Sequence, residues 1–206
     1  KRAAISMGLE GQRVDIHPPA DDVALDADTL PHLLVQGIST RHQLNLAEAD
    51  RIAHAMAHVY GSAEWTDAEY LLTEDALLNL HRMMFGKIWD WAGSYRQVNT
   101  NIGSPWTSVR QDLVTLVENY QFQVIGATQL PYPADEVAIR FHHLLVRVHP
   151  FRDGNGRHAR LAADLLAESL GQPPFSWGGM RALHSGTSRD AYIAAIKHAD
   201  REFEYG

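Results

Sequence analysis

Residues 149–160 read HPFRDGNGRHAR. A histidine, an aspartate, a Gly-Asn-Gly turn and two arginines fall within this one short stretch. Apolar residues at helical spacing stand on both sides of it. Val137, Phe141, Leu144, Leu145 and Val148 precede it, and Leu161, Leu165, Leu166 and Leu170 follow. The stretch is therefore a connector between two helices, and Gly154, Asn155 and Gly156 open the second. That reading sets the fold class, because the same spacing recurs along most of the chain.

The early run RHQLNLAEADRIAHAMAHVY follows Thr40 and carries Leu44, Ala47, Ile52, Met56 and Val59 on one face, ending at Gly61. A second helix, TEDALLNLHRMMFGKIW, starts at Thr73 as N-cap and presents Leu77, Leu80, Met84 and Ile88. Val109, Leu113, Leu116 and Tyr120 line a third. Gly171, with Pro173 and Pro174 beyond it, stops the helix after the motif, and a last helix spans roughly residues 188–203. Only WAGSYRQVNTNIGSPWTSV, residues 91–109, mixes Gly, Asn, Ser and Pro with short Tyr, Val, Ile and Trp pieces, which predicts a short β-hairpin or loop. The expected fold is all-α with that one hairpin. Residues 1–37, rich in Pro and Asp, read as an extended arm, and residues 38–206 as one domain.

Composition narrows the function. The net charge of −7 is poorly suited to gripping a nucleic-acid backbone. The absence of Cys excludes a disulfide framework and thiolate metal sites and fits a reducing cytoplasm. No run approaches the 18 apolar residues of a membrane span, and the N-terminal stretch lacks the apolar core of a signal peptide. Met7 is a candidate native start. His54 and His58 share a helix face, but without the Glu of a metalloprotease motif they read as two exposed histidines. His142 and His143 read as one core-edge and one surface histidine.

The motif itself carries chemistry. A helix N-terminus leaves backbone N–H groups without intrahelical partners, and glycines let a ligand approach them closely. Arg157 and Arg160, three apart, share a face and can each grip two phosphate oxygens. Together these features call for a ligand with several phosphates. Asp153 sits beside that charge most naturally as a Mg²⁺ ligand. His149 can act as general base near neutral pH. Phe151 points inward as an anchor.

HPFRDGNGRHAR resembles the signature of the Fic family, H-x-F-x-(D/E)-G-N-G-R-x-x-R, with every specified position filled. LHRMMFGKIWDWAGSYR resembles the family stretch ahead of its flap, and AIRFHHLLVRVHPF the helix leading into the motif. GISTRHQLNLAEADRI is similar to the subgroup called mobile mystery protein B. The resemblance implies an all-α Fic core and transfer of AMP from ATP, with Mg²⁺, to a Ser, Thr or Tyr hydroxyl of a target protein. It implies His149 as base, Asp153 on the metal, Gly154, Asn155 and Gly156 on the phosphates, and Arg157 and Arg160 on the β/γ side. It also implies that the segment Arg96–Val109 is a flap that docks the target, with Arg96, Val98 and Ile102 on it, and that a small antitoxin is a candidate partner. The Doc kinase branch carries Lys where this chain has Gly156, which favours AMP transfer. Transfer of another phosphate-linked group, removal of AMP, and a silent binding module stay open as alternatives. Many Fic proteins resemble one another in an inhibitory motif, (S/T)-x-x-x-E-(G/N). SMGLEG matches it and makes Glu10 a candidate inhibitor facing Arg160, whereas Ser39-x-x-x-Gln43 lacks the acid.

Overall fold

The computed structural model describes residues 23–60, 62–177 and 194–201. Its helices are α1 (Arg41–Val59), α2 (Ala68–Leu71), α3 (Glu74–Phe85), α4 (Val109–Gln121), α5 (Ala134–Val148) and α6 (Asn155–Ser169). Residues 194–201 are also helical, as expected for the last helix, and Asp200 meets His143 and Arg147 of α5. Glu10 and its SMGLEG segment lie outside the described residues.

Two N-caps act as the sequence implies. Thr73 Oγ1 accepts from the Ala76 N–H at 3.1 Å. At α1, Thr40 and Gln43 form a reciprocal capping box, so the Gln43 side chain is engaged in starting the helix. Beyond α6, Gly171 adopts φ +75° and closes the helix with bonds from Gly171 and Gln172 to Glu168 and Ala167.

α5 and α6 pack on each other across the motif, α3 rests on α6, α1 lies on α3, and α4 on α5. The expected apolar stripes of α3 to α6 supply most of the core, including Leu77, Leu80, Leu113, Phe141 and Leu165. Two expectations shift. α3 stops at Phe85 with Gly86 as C-cap, so Ile88 enters the core from a turn. The face of α1 is rotated: Met56 is exposed, while Glu48 joins Leu44, Ala55 and Val59 on the buried side. The partners that make a buried carboxylate tolerable come from two other segments.

The β-hairpin does not form. No strand occurs among the described residues, and residues 97–107 follow a path of bends and turns. Arg96 explains why. Its guanidinium donates to the carbonyls of Val98 and Ser104, the acceptors that a ladder across this loop would use. Asn99 Oδ1 takes the Trp106 N–H at 3.0 Å, which removes a further ladder donor.

Candidate active site

His149 is the C-cap of α5 and has left-handed backbone, φ 54° and ψ 58°. That conformation is uncommon for a side-chain-bearing residue and is fixed by its surroundings. Its N–H donates to Leu145 O at 3.1 Å, and Arg96 Nε donates to its carbonyl at 2.6 Å. The ring nitrogen Nδ1 lies 3.1 Å from Val146 O. A carbonyl only accepts, so Nδ1 carries the proton and Nε2 keeps its lone pair. Burial holds the imidazole below its usual pKa, partly opposed by the Val146 bond, with Asp153 near enough to raise it. The result is a neutral ring with a basic Nε2 at neutral pH.

The loop that follows is braced from both sides. Asn155 Oδ1 accepts from Phe151 N at 2.9 Å, and Asn155 Nδ2 donates to Phe151 O at 2.8 Å. The Asn155 side chain therefore closes the turn, and only its backbone faces outward as part of the helix start. Phe151 is fully buried and stacks on His81, ring centroids 3.7 Å apart. His81 Nε2 donates to Asp153 O at 3.0 Å, and His81 Nδ1 accepts from Gly93 N at 3.0 Å. Burial keeps this imidazole neutral, far below its ordinary pKa, which suits a ring that must donate on one side and accept on the other.

Gly154 is the N-cap of α6 at φ 78°, and no side chain caps the helix. A Cβ there would stand 2.7 Å from two ring carbons of Phe85, so the position accepts only glycine without movement. The first-turn N–H groups of α6 at Asn155, Gly156 and Arg157 thus start without a side-chain acceptor. Asp153 Oδ1 takes the Gly154 N–H at 2.6 Å and leaves Oδ2 without a partner among the described residues.

Arg157 Nη1 donates to Glu48 Oε2 at 2.5 Å, and Trp89 Nε1 donates to Glu48 Oε1 at 2.7 Å. Glu48 is only 3% exposed. Its two carboxylate oxygens each hold one partner, so α1 is tied to the motif through a charge-assisted bond. The Arg157 guanidinium also lies 4.8 Å over the Phe85 ring. Arg160, one turn on, is close enough to His142 and Asp164 to influence both.

The Fic/DOC family profile matches residues 71–167. Residues 71–167 are thus similar to a Fic/DOC domain. Protein adenylyltransferase Fic of Aedes aegypti is 27% identical over 116 residues, 56% of this chain and 23% of that protein. A Fido domain-containing protein of Dictyostelium discoideum is 32% identical over 98 residues, 48% of this chain and 62% of the other. The chain thus spans about a quarter of the length of the Aedes relative. Among solved structures, Fic-1 from C. elegans matches 80% of this chain and 46% of its own at 27% identity and a TM-score of 0.58. The N-terminal Fic domain of a putative cell filamentation protein from Bartonella quintana, described with bound ADP, matches 80% and 82% at 19% identity and TM-score 0.60. That last likeness is one of fold.

Placed on the Fic/DOC frame, the sequence-derived residues divide. His149, Phe151, Asp153, Gly154, Asn155, Gly156 and Arg157 meet in one loop and the helix turn after it. Val98 and Ile102 are 58% and 51% exposed on the loop beside it. Arg96 departs from expectation: it is 3% exposed and holds the motif backbone rather than presenting itself to a target. Glu48 and His81 were not singled out by sequence. Their signal was phase: Glu48 falls in register with Leu44, Ile52, Ala55 and Val59, and His81 with Leu77, Leu80 and Met84. Elsewhere, His54 Nδ1 bonds back to Asp50 O within α1 at 2.8 Å, His58 is exposed, and no group of three metal-ligating side chains occurs among the described residues.

Proposed function

We propose that this Fic/DOC chain transfers AMP from ATP to a Ser, Thr or Tyr hydroxyl of a target protein. One observation carries the reading: a half-buried base with its lone pair on Nε2, a carboxylate and an uncapped helix N-terminus converge within residues 149–157. The name of the Aedes relative, a protein adenylyltransferase, and the ADP described in the Bartonella domain support it.

The α6 N-terminus holds the α- and β-phosphates through the N–H groups of Asn155 and Gly156, which Gly154, lacking a side chain, leaves open to close approach, and Arg157 and Arg160 face the distal phosphates. His149 Nε2 removes the hydroxyl proton as the oxygen attacks the α-phosphorus. The bond from that phosphorus to the bridging oxygen breaks, and pyrophosphate leaves. Asp153 fits Mg²⁺, because a single available carboxylate oxygen beside phosphates is the donor set that ion commonly takes. When bound, Mg²⁺ neutralises charge on the phosphates. Val98 and Ile102 form the surface along which an extended target segment lies, bringing its hydroxyl to His149.

Residues 38–206 form the catalytic unit in this reading, since α1 supplies Glu48 to Arg157 although it precedes the family-matched span. A small antitoxin partner and a cytoplasmic setting belong to the same proposal. No described helix is long and apolar enough to cross a membrane.

Incubation with ATP labelled separately at the α- and γ-phosphates, plus Mg²⁺ and a native lysate, tests the reaction. Label from the α-position on protein hydroxyls supports it. Label from the γ-position means phosphoryl transfer, and nucleotide binding without either label means a binding module.

A further inference from the structure

Glu48 stands where an apolar residue would serve for packing. It shares the buried side of α1 with Leu44, Ala55 and Val59, and its side chain is 4% exposed. Both carboxylate oxygens are engaged, Oε1 by the Trp89 indole N–H and Oε2 by Arg157 Nη1. Stability is a weak reason for such an arrangement. The attraction within a buried ion pair roughly offsets its desolvation, and well-packed apolar replacements are often as stable. Arg157 does not require the acid for its own solvation either, since its side chain is 30% exposed.

What the pair supplies is orientation. The Arg157 guanidinium is restrained from two directions, by the Phe85 ring 4.8 Å from its central carbon and by Glu48 at Nη1. Its Nε and Nη2 groups make no hydrogen bond among the described residues, so one edge of the fork stays free. Glu48 is anchored in turn. Trp89 is 5% exposed and stacks on Trp91 with ring centroids 5.1 Å apart, so its indole has a fixed place. The carboxylate cannot swing away with the arginine without leaving that buried N–H unpaired.

We propose that Glu48 is a positioning residue for the transfer reaction: anchored by Trp89, it holds Arg157 with a free edge ready for the nucleotide. The inference rests on the transfer reading above and adds to it a residue that precedes the family-matched span. The two donors explain why the side chain is an acid. Two N–H groups converge on it, and only a carboxylate offers an acceptor to each, whereas an amide would set its NH₂ against one of them. Charge by itself argues the other way. A carboxylate beside Arg157 opposes an anionic ligand, so its removal would tighten nucleotide binding. Orientation and charge thus predict effects of opposite sign.

The test follows transfer of α-labelled AMP to lysate proteins against ATP concentration, with the full chain as wild type, Glu48→Gln, Glu48→Leu, and Glu48→Gln combined with Trp89→Phe. Both single variants are expected to raise the KM for ATP by about tenfold and to change the maximal rate by less than about threefold, because in that reading Arg157 grips the distal phosphates in ground state and transition state alike. Calorimetric binding of AMP, which lacks those phosphates, stays at the wild-type level. Glu48→Leu preserves the packing of α1, Glu48→Gln preserves the shape, and thermal melts check that each folds. In the double variant the amide no longer meets an indole N–H, and part of the loss is recovered. A lower KM in Glu48→Gln overturns the proposal, because the acid would then act by charge. An unchanged KM in either single variant overturns it as well, and so does a double variant no better than Glu48→Gln. A wild type that transfers no AMP defeats the transfer reading and this inference with it, whereas an active wild type with indifferent Glu48 variants defeats this inference alone.

Discussion

Two stretches without regular structure lie side by side at the site, and they are held in opposite ways. In residues 149–154, side chains from afar fix the backbone. Arg96 holds the His149 carbonyl, His81 the Asp153 carbonyl, and Asn155 both backbone polar groups of Phe151. In residues 97–107, apart from the Arg96 contacts and a long bond from Ser104 N–H to Val148 O at 3.4 Å, the bonds are local, such as Thr100 to Ile102 O and Asn99 to Trp106 N, and Val98, Ile102 and Trp106 face outward. The two stretches touch where Gly103 passes so close to His149 that a Cβ would collide with it. An irregular backbone is thus as fixed as a helix when buried groups account for its polar atoms, and a surface awaiting a partner when they do not.

The contrast can be broken most severely at its chemical centre. His149→Ala should lower AMP transfer by about 10²–10⁴-fold while the thermal midpoint stays near wild type, as measured by labelled transfer beside melting curves. Arg96→Ala attacks the brace itself. It leaves several buried carbonyls unpaired and should cost at least about 3 kcal/mol in urea unfolding, with Arg96→Lys recovering only part because an ammonium cannot fork. Gly154→Ala adds a left-handed strain and a clash with Phe85, together about 2–3 kcal/mol, and Phe85→Leu in the same chain should restore some of it.

A milder probe is pH. His81, His142 and His158 are buried and held neutral, His158 at about 4 and His142 at about 3 by burial. The unfolded chain takes up protons at these rings near pH 6.5, and the folded chain does not. Stability should therefore be full above pH 6.5 and fall as pH drops, by about 1.4 kcal/mol per pH unit for each ring that protonates on unfolding. His158 Nδ1 has no hydrogen-bond partner among the described residues, so no described group compensates a proton there. Melting temperatures between pH 4.5 and 8 measure the slope. The smallest effect belongs to the exposed loop. Val98→Ala and Ile102→Ala should change stability by less than about 0.5 kcal/mol, while target modification falls more than ATP binding does.

Much of this molecule is legible from sequence because its signals are local. Thr40 and Thr73 each bond a backbone N–H three residues on, and Gly171 stops α6, so neighbours decide them. The stripes of α3 to α6 follow from periodicity alone. Glu48 is different. A carboxylate on an apolar face reads as solvated until Trp89 and Arg157, 41 and 109 positions away, are known to meet it. The loop at 97–107 was misread for a related reason. Short Val and Ile pieces favour strands, but a buried guanidinium at Arg96 competes for the carbonyls that strands would share. In the motif the residue types were readable, whereas the division of labour was not. Asn155 closes a turn with its side chain, a role fixed only by where Phe151 sits.

The bond from Glu48 to Arg157 also bears on how the gene should be cut. A fragment begun at the family boundary, Leu71, would strip α1 from α3 and leave the Trp89 indole and the Arg157 guanidinium without the carboxylate that orients them. Such a fragment would keep every letter of the signature and lose the scaffold behind one of its arginines. For transplanting this site into another protein, the portable unit begins at Thr40, where the capping box starts α1.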